Sequence, residues 1–185
     1  MNELTVLNKK NKLSRMDRNA VLWVQNNMRT PKTAKFFTAV TRLGDKGILW
    51  MGLSLLFMIP KKTREIGKLS FQSIITCFFV NNVVMKNVFS RKRPYDVIED
   101  AENIIEKQPD YSFPSGHAAN SVASAVVFYR YCNNIFGKSA LFTSLMIAVS
   151  RLYVGVHYLS DVIVGVFVGT FTGLSVCKIS ERQKK

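Results

Sequence analysis

The sequence predicts an all-α fold, an integral membrane bundle of about five transmembrane helices, and three observations carry that prediction. Apolar residues make up 48% of the chain although 26 of its 185 residues are Lys or Arg, so the apolar ones must be bunched. Four bunches, at 66–85, 118–136, 139–156 and 159–178, come close to the ~20 residues that a helix needs to cross a bilayer, and a fifth, 47–60, is shorter. Much of the charge sits in the links between them, as in Lys61, Lys62, Arg64 and Lys68 after Pro60. The length suits one unit, with a basic tail and interfacial helices over 1–46 and a transmembrane domain over 47–185.

A formal net charge of +14 invites a nucleic-acid reading, but no aromatic-interleaved basic module or recognition helix accompanies it. Basic links beside anionic headgroups account for the charge. Cys77, Cys132 and Cys177 lie in or at the ends of apolar segments, and their odd number offers no paired framework, so they read as packing residues. The N-terminal stretch lacks the continuous apolar core of a cleavable signal.

Taken in order, residues 1–15 are basic and polar, the composition of an open juxtamembrane tail. Residues 17–28 carry an apolar patch with Trp23, and 35–43 place Phe36, Phe37, Val40 and Leu43 at helical spacing before Gly44 and Asp45 break the pattern. Both pieces suit helices lying in the membrane interface. The 47–60 segment stops at Pro60, and 66–85 crosses back to a basic run of Lys86, Arg91, Lys92, Arg93 and Pro94, which taken alone is a solvated anchor. The acidic link that follows, with Asp96, Glu99, Asp100, Glu102, Glu106 and Asp110, reads as a surface excursion that covers the site. Phe113 to Ser121 then opens the third span with helix-start residues and a glycine that admits a close ligand, which together make a seat for an anion. The fourth span delivers Ser150 and Arg151. The fifth carries Gly165, Gly169 and Gly173, a stripe read as close helix packing.

Five crossings put the ends of the second and fourth spans and the starts of the third and fifth on one side, where Lys86, Arg93, Ser115, His117, Arg151 and His157 converge. The same parity puts the basic N-terminus on that face, against the positive-inside reading of the link after Pro60. Weighed with the basic C-terminus and the 130–138 link, the site is expected to face outward.

The stretch from Ser150 to Asp161 holds the chemistry. With the helix resuming near Val156, His157 and Asp161 stand at i and i+4 on one face. A carboxylate that holds one imidazole nitrogen as a donor leaves the other as a bare lone pair, ready to attack. Lys86, Arg93, Arg151 and the amides near residues 115–117 would enclose a phosphate and the charge its equatorial oxygens develop in transfer. In that scheme His157 attacks phosphorus, Asp161 orients it, and His117 protonates the leaving oxygen and then activates water. A lone histidine on an apolar helix is more often a packed core residue, but these are the only two in the chain and both fall beside basic residues. Three nearby cations repel a divalent ion and no third clear ligand is present, so neither metal nor cofactor is expected. Ser115 is an alternative nucleophile, with His117 two positions on; the intervening Gly116 and the helix start favour a phosphate-binding hydroxyl.

Lys86, six positions, Arg93-Pro94; Pro114-Ser115-Gly116-His117; and Ser150-Arg151, five positions, His157, three positions, Asp161 resemble the three-part signature of the type 2 phosphatidic acid phosphatase family, in order and without a departure. The resemblance implies a metal-independent phosphatase in a helical bundle with a vanadium-haloperoxidase-like core. It implies His157 as nucleophile, Asp161 as its partner, His117 as the acid, and Lys86, Arg93, Ser115, Gly116 and Arg151 holding phosphate. Small bacterial members of similar layout act outside the cytoplasmic membrane on undecaprenyl pyrophosphate, and others on phosphatidylglycerophosphate or phosphatidic acid. The expectation is therefore a multi-pass enzyme of the cell membrane that takes a lipid phosphate, undecaprenyl pyrophosphate before the others, through a phosphohistidine, with no nucleic acid and no obligate protein partner. A phosphate or lipid transporter, the rival of another class, should carry charges deep in its spans and paired repeats about the midplane. Here the charges lie at span ends. A catalytically dead scaffold should have lost at least one of the named residues.

Overall fold

Neither Pro nor Gly interrupts the first 28 residues, and the computed structural model of the chain, which describes residues 3–132 and 134–183 with side chains from Leu13 onward, has a single helix there, α1 (Glu3–Met28). The open tail expected to residue 15 is thus helical from Glu3. Helix propagates readily from a docked segment, and α1 is docked through Asp17, Val21 and Val24. The outermost residues of both basic tails lie outside the described residues. The second helix, α2 (Pro31–Arg42), starts with Pro at its first position and a reciprocal cap: the Thr30 hydroxyl accepts from the Thr33 N–H at 3.2 Å, and the Thr33 hydroxyl accepts from the Thr30 N–H at 2.9 Å.

A turn at Asp45–Gly47, with Lys46 and Gly47 at φ of 52° and 67°, leads into α3 (Ile48–Met58). After it α4 (Arg64–Phe78) widens into a π-helical segment (Phe79–Met85) and closes as α5 (Lys86–Phe89). A short α6 (Pro94–Val97) precedes a long link, and then come α7 (Gly116–Cys132), α8 (Ile135–Tyr153) and α9 (Leu159–Gln183). Among the described residues there is no strand.

The centre of the bundle is α7, which packs against α4, α8 and α9 and buries Ala118, Ala119, Ala123, Ala125, Val127 and Phe128 completely. Small residues let these backbones approach. On α9 a methyl group placed on Gly165 would stand 2.7 Å from the carbonyl of Ser115, just before α7, and one on Gly173 2.7 Å from that of Ala123 on α7. Hydroxyls bind the neighbouring helices as well, with Ser54 of α3 2.7 Å from Ser70 of α4, and Ser70 2.7 Å from Ser124 of α7.

Three stretches, Arg64–Val97, Ile135–Tyr153 and Leu159–Gln183, are long and apolar enough to cross a membrane. Their outward residues are apolar and exposed: Phe79, Val83 and Val88 on the first, Phe142 and Val149 on the second, Phe167 and Phe171 on the third. Such a surface belongs against lipid, so the chain is a membrane protein. Both α3 and α7 are shorter, with 11 and 17 residues.

The N-terminal helices pack onto one end of this bundle. Val21 of α1 is buried with Ile98, Ala101 and Tyr158, and the Phe37 ring of α2 stacks on Tyr153 at 4.1 Å. Arg29, between the two helices, donates to the carbonyls of Glu102 at 2.8 Å and Tyr153 at 3.0 Å. Residues 17–45 therefore stand over the end of the bundle at which the basic run and both histidines lie. Trp23 stays exposed.

Candidate active site

Four features of the chain deliver polar side chains to that end. The π-helical segment ahead of Lys86 has a wider ring of hydrogen bonds than an α-helix, and it ends with Lys86 turned inward and 4% exposed. Arg93 follows in extended backbone, as the residue before Pro94 must. Arg151 lies in the last turn of α8, and Gly155, at φ 81°, makes the turn that presents His157. Gly155 has no room for a side chain, because the Glu102 carbonyl presses on it. The spacing of His157 and Asp161 predicts a helix from about Val156; α9 begins at Leu159, so His157 lies in the turn before it. The turn still brings His157 Nδ1 to 3.4 Å from Asp161 Oδ2.

Lys86, Arg93, Gly116, His117, Arg151 and His157 line one cavity of about 390 Å³. Arg93 Nη1 donates to the Val156 carbonyl at 2.7 Å and lies 3.4 Å from His157 Nε2. Arg151 Nη1 donates to Thr41 Oγ1 at 2.6 Å, and its buried Nε has no partner among the described residues. Gly116 and His117 open α7, and the N–H groups of a first helical turn have no acceptor within their own helix. The opposite wall is apolar: Met51 from α3, and Ile74, Ile75 and Phe78 from α4. Ile75 and Phe78 are half exposed on the outer face of the bundle, so the cavity runs from a cationic floor to the lipid-facing surface.

Two sequence-selected residues stand behind the wall. Ser115 is buried at the start of α7, where its hydroxyl accepts from the Ala118 N–H at 3.5 Å and its own N–H donates to the Asp161 carbonyl at 3.0 Å. Asp161 is fully buried. Its Oδ2 accepts from the Tyr158 N–H at 2.9 Å and from the Ser112 hydroxyl, and its Oδ1 accepts from Arg91 Nη1 at 2.6 Å.

Several partners of the cluster escaped the sequence reading. Asp110, in the link expected to cover the site, forms ion pairs with Lys86 and, at 2.6 Å, with Arg93 Nη2. Partial burial pushes its carboxyl up, but the two cations outweigh burial and hold it down at about 2. Asp45 Oδ1 lies 2.9 Å from His117 Nε2, a hydrogen bond that holds the Asp45 carboxyl below its ordinary range. Ser112 and Thr41 complete the set. The acidity of the 95–113 link was the one signal for Asp110; nothing in the sequence pointed to Asp45 or Thr41. Complete burial, and then the charges of Arg93, Arg151 and Lys86, hold His157 well below the usual histidine range, which keeps its ring neutral.

A helical membrane bundle that gathers four cationic side chains, two imidazoles and a helix N-terminus around one small cavity defines a class: a protein fitted to a compact oxyanion carried on an apolar molecule. The chain belongs to the PAP2 superfamily, whose family model matches residues 68–185. It is 30% identical over 123 residues to an undecaprenyl-diphosphatase of Sulfolobus acidocaldarius, an alignment covering 66% of this chain and 59% of that protein. It is 28% identical over 143 residues to a lipid A 4'-phosphatase of Porphyromonas gingivalis, covering 70% of this chain and 60% of the relative. The chain thus spans about three fifths of the length of these two curated relatives. Among solved structures, LpxE of Aquifex aeolicus superposes with a TM-score of 0.71 at 30% identity, over 84% of this chain and 92% of that one. The fold is also that of a transmembrane PAP2-type phosphatidylglycerolphosphate phosphatase of Bacillus subtilis, with a TM-score of 0.77 at 24% identity over 93% of this chain and 88% of that one. A bacterial vanadium-dependent iodoperoxidase shares it, at a TM-score of 0.72 and 20% identity over 88% of this chain and 48% of that one.

Proposed function

We propose that this protein is a multi-pass membrane phosphohydrolase that removes the terminal phosphate of a lipid pyrophosphate, undecaprenyl pyrophosphate by preference, at the extracytoplasmic face. The observation that carries the proposal is the shape of the cavity: a cationic floor of Lys86, Arg93 and Arg151 joined to an apolar wall that reaches the lipid-facing surface at Ile75 and Phe78. A phosphate enters the floor while its prenyl chain stays in lipid. The relative named undecaprenyl-diphosphatase supports the choice of substrate.

The chemistry follows from the geometry. Asp161 Oδ2 accepts the Nδ1 proton of His157 at 3.4 Å, leaving Nε2 as a lone pair beside Arg93. Nε2 forms a bond to the terminal phosphorus as the bridging P–O bond breaks, and the lipid monophosphate departs. Lys86, Arg93, Arg151 and the N–H groups of Gly116 and His117 take up the charge on the transferring phosphoryl oxygens, while Ser115 holds the helix start that presents them. Since Nε2 of His117 is engaged by Asp45, Nδ1 is its nitrogen for exchanging a proton with the leaving oxygen. Water deprotonated by His117 then attacks phosphorus and releases inorganic phosphate and free His157.

Purified protein in detergent with excess chelator, offered a panel of prenyl pyrophosphates, prenyl phosphates and glycerol-based lipid phosphates, should release phosphate fastest from the prenyl pyrophosphate. Activity that needs added magnesium, or a panel led by a glycerol lipid, contradicts the mechanism or the substrate respectively.

A further inference from the structure

The buried carboxylate that the proposed mechanism does not use is Asp17, on α1. It is 3% exposed and lies outside the residues matched by the family model. Its Oδ1 accepts from the Ser160 N–H at 2.9 Å, and its Oδ2 from the Ser160 hydroxyl at 2.6 Å and from Arg91 Nη2 at 2.8 Å. The other end of the same guanidinium, Nη1, donates to Asp161 Oδ1 at 2.6 Å, and its Cζ stands 3.8 Å from the centre of the Tyr158 ring. Arg91 is therefore shared between two carboxylates, one on α1 and one beside His157.

That sharing fixes two properties of Asp161. With Oδ1 tied to Arg91, the carboxylate is rotated so that Oδ2 faces His157 Nδ1. With the cation divided between Asp17 and Asp161, Asp161 keeps negative charge to support the imidazole as it takes on phosphorus. Were Asp17 neutral, the whole of the Arg91 charge would fall on Asp161, which would then hold the His157 proton less strongly.

Building on the reading of His157 as nucleophile, we propose that Asp17 is a positioning residue for it, acting through Arg91 and Asp161. The N-terminal helix thereby becomes part of the reacting assembly, although its residue touches no phosphate.

The test uses the full chain, with inorganic phosphate released from a prenyl pyrophosphate as the readout. Wild-type turnover carries the phosphatase reading by itself, and the variants measured against it carry this one. Asp17→Asn should lower kcat roughly ten- to a hundred-fold, the loss typical of groups that orient a reacting residue from behind. KM and inhibition by inorganic phosphate should stay unchanged, because the cationic floor is untouched. Asp17→Glu should restore most of the loss. Arg91→Met should lower kcat to a similar extent, and the double variant no further, since the two act in series. Wild-type kcat in folded Asp17→Asn, or effects of the two substitutions that multiply, overturns the proposal. If Asp17→Asn does not fold, as judged by thermal melting, Ser160→Ala decides. It removes one hydroxyl from Asp17 and Arg91, so a several-fold fall in kcat at constant KM supports the proposal and wild-type kcat overturns it.

Discussion

Asp110 engages Lys86 and Arg93, two of the cations that the proposed mechanism gives to phosphate, so an incoming phosphate competes with a carboxylate already seated there. Removing its charge should favour the substrate. Asp110→Asn is expected to lower both KM and the inhibition constant for inorganic phosphate, roughly three- to ten-fold, the scale of one charge-assisted hydrogen bond. Steady-state kinetics with phosphate competition measures it, and weaker phosphate inhibition in the variant would mean that Asp110 organises the cations instead. A second expectation concerns pH. Burial and the neighbouring cations depress His157, so its neutral form persists as pH falls through the ordinary histidine range. The acid limb of kcat/KM, corrected for ionisation of the substrate, should therefore lie below pH 6.5; a limb centred at or above that value contradicts a depressed nucleophile. At this scale the residues with fixed spacing, from Lys86 to Asp161, were legible as candidates, and the fold gathers Lys86, Arg93, His117, Arg151 and His157 around one cavity. Asp45, Thr41 and Ser112 meet the site across long separations, 72 residues between Asp45 and His117, and carry no local pattern.

Among elements, the spans were legible because burial in lipid demands continuous apolar runs. The expected bounds 66–85, 139–156 and 159–178 fall within a few residues of helix or π-helix. The π-helical segment Phe79–Met85 was invisible, since its residues are as apolar as those of an ordinary helix. The docking of α1 was also hidden: an apolar patch with a tryptophan suits an interfacial helix, and only the fold supplies Arg91 and Ser160 for Asp17. The glycine stripe of α9 gives a sharp contrast in stability. Gly169 stands against the Ala119 carbonyl, whereas a methyl group on Gly52 of α3 would meet nothing within 4 Å. Gly169→Val should lower stability by about 1–3 kcal/mol or more, as over-packing does, and Gly52→Ala should leave it nearly unchanged. Thermal melting in detergent checks both, and equal melting temperatures would deny the close α7–α9 approach.

For the whole molecule, the exposed apolar surfaces of three stretches and the charged end that holds the cavity fit an enzyme working at one edge of a bilayer. In the proposed reaction the lipid stays in its own phase and only its phosphate enters the cavity, which would spare the cost of lifting an acyl or prenyl chain into water. Sidedness rests on loop charge, which the sequence divides between two faces. Thiol labelling of a single cysteine placed in the 95–113 link, in intact cells with an impermeant reagent, should succeed; labelling only after lysis would place the cavity on the cytoplasmic side. The central claim is that phosphorus passes through His157. Protein mixed with a prenyl pyrophosphate labelled in its terminal phosphate and quenched within milliseconds should carry acid-labile, base-stable label on His157 and none in His157→Ala, whereas label on Ser115, or turnover in His157→Ala equal to wild type, would contradict it.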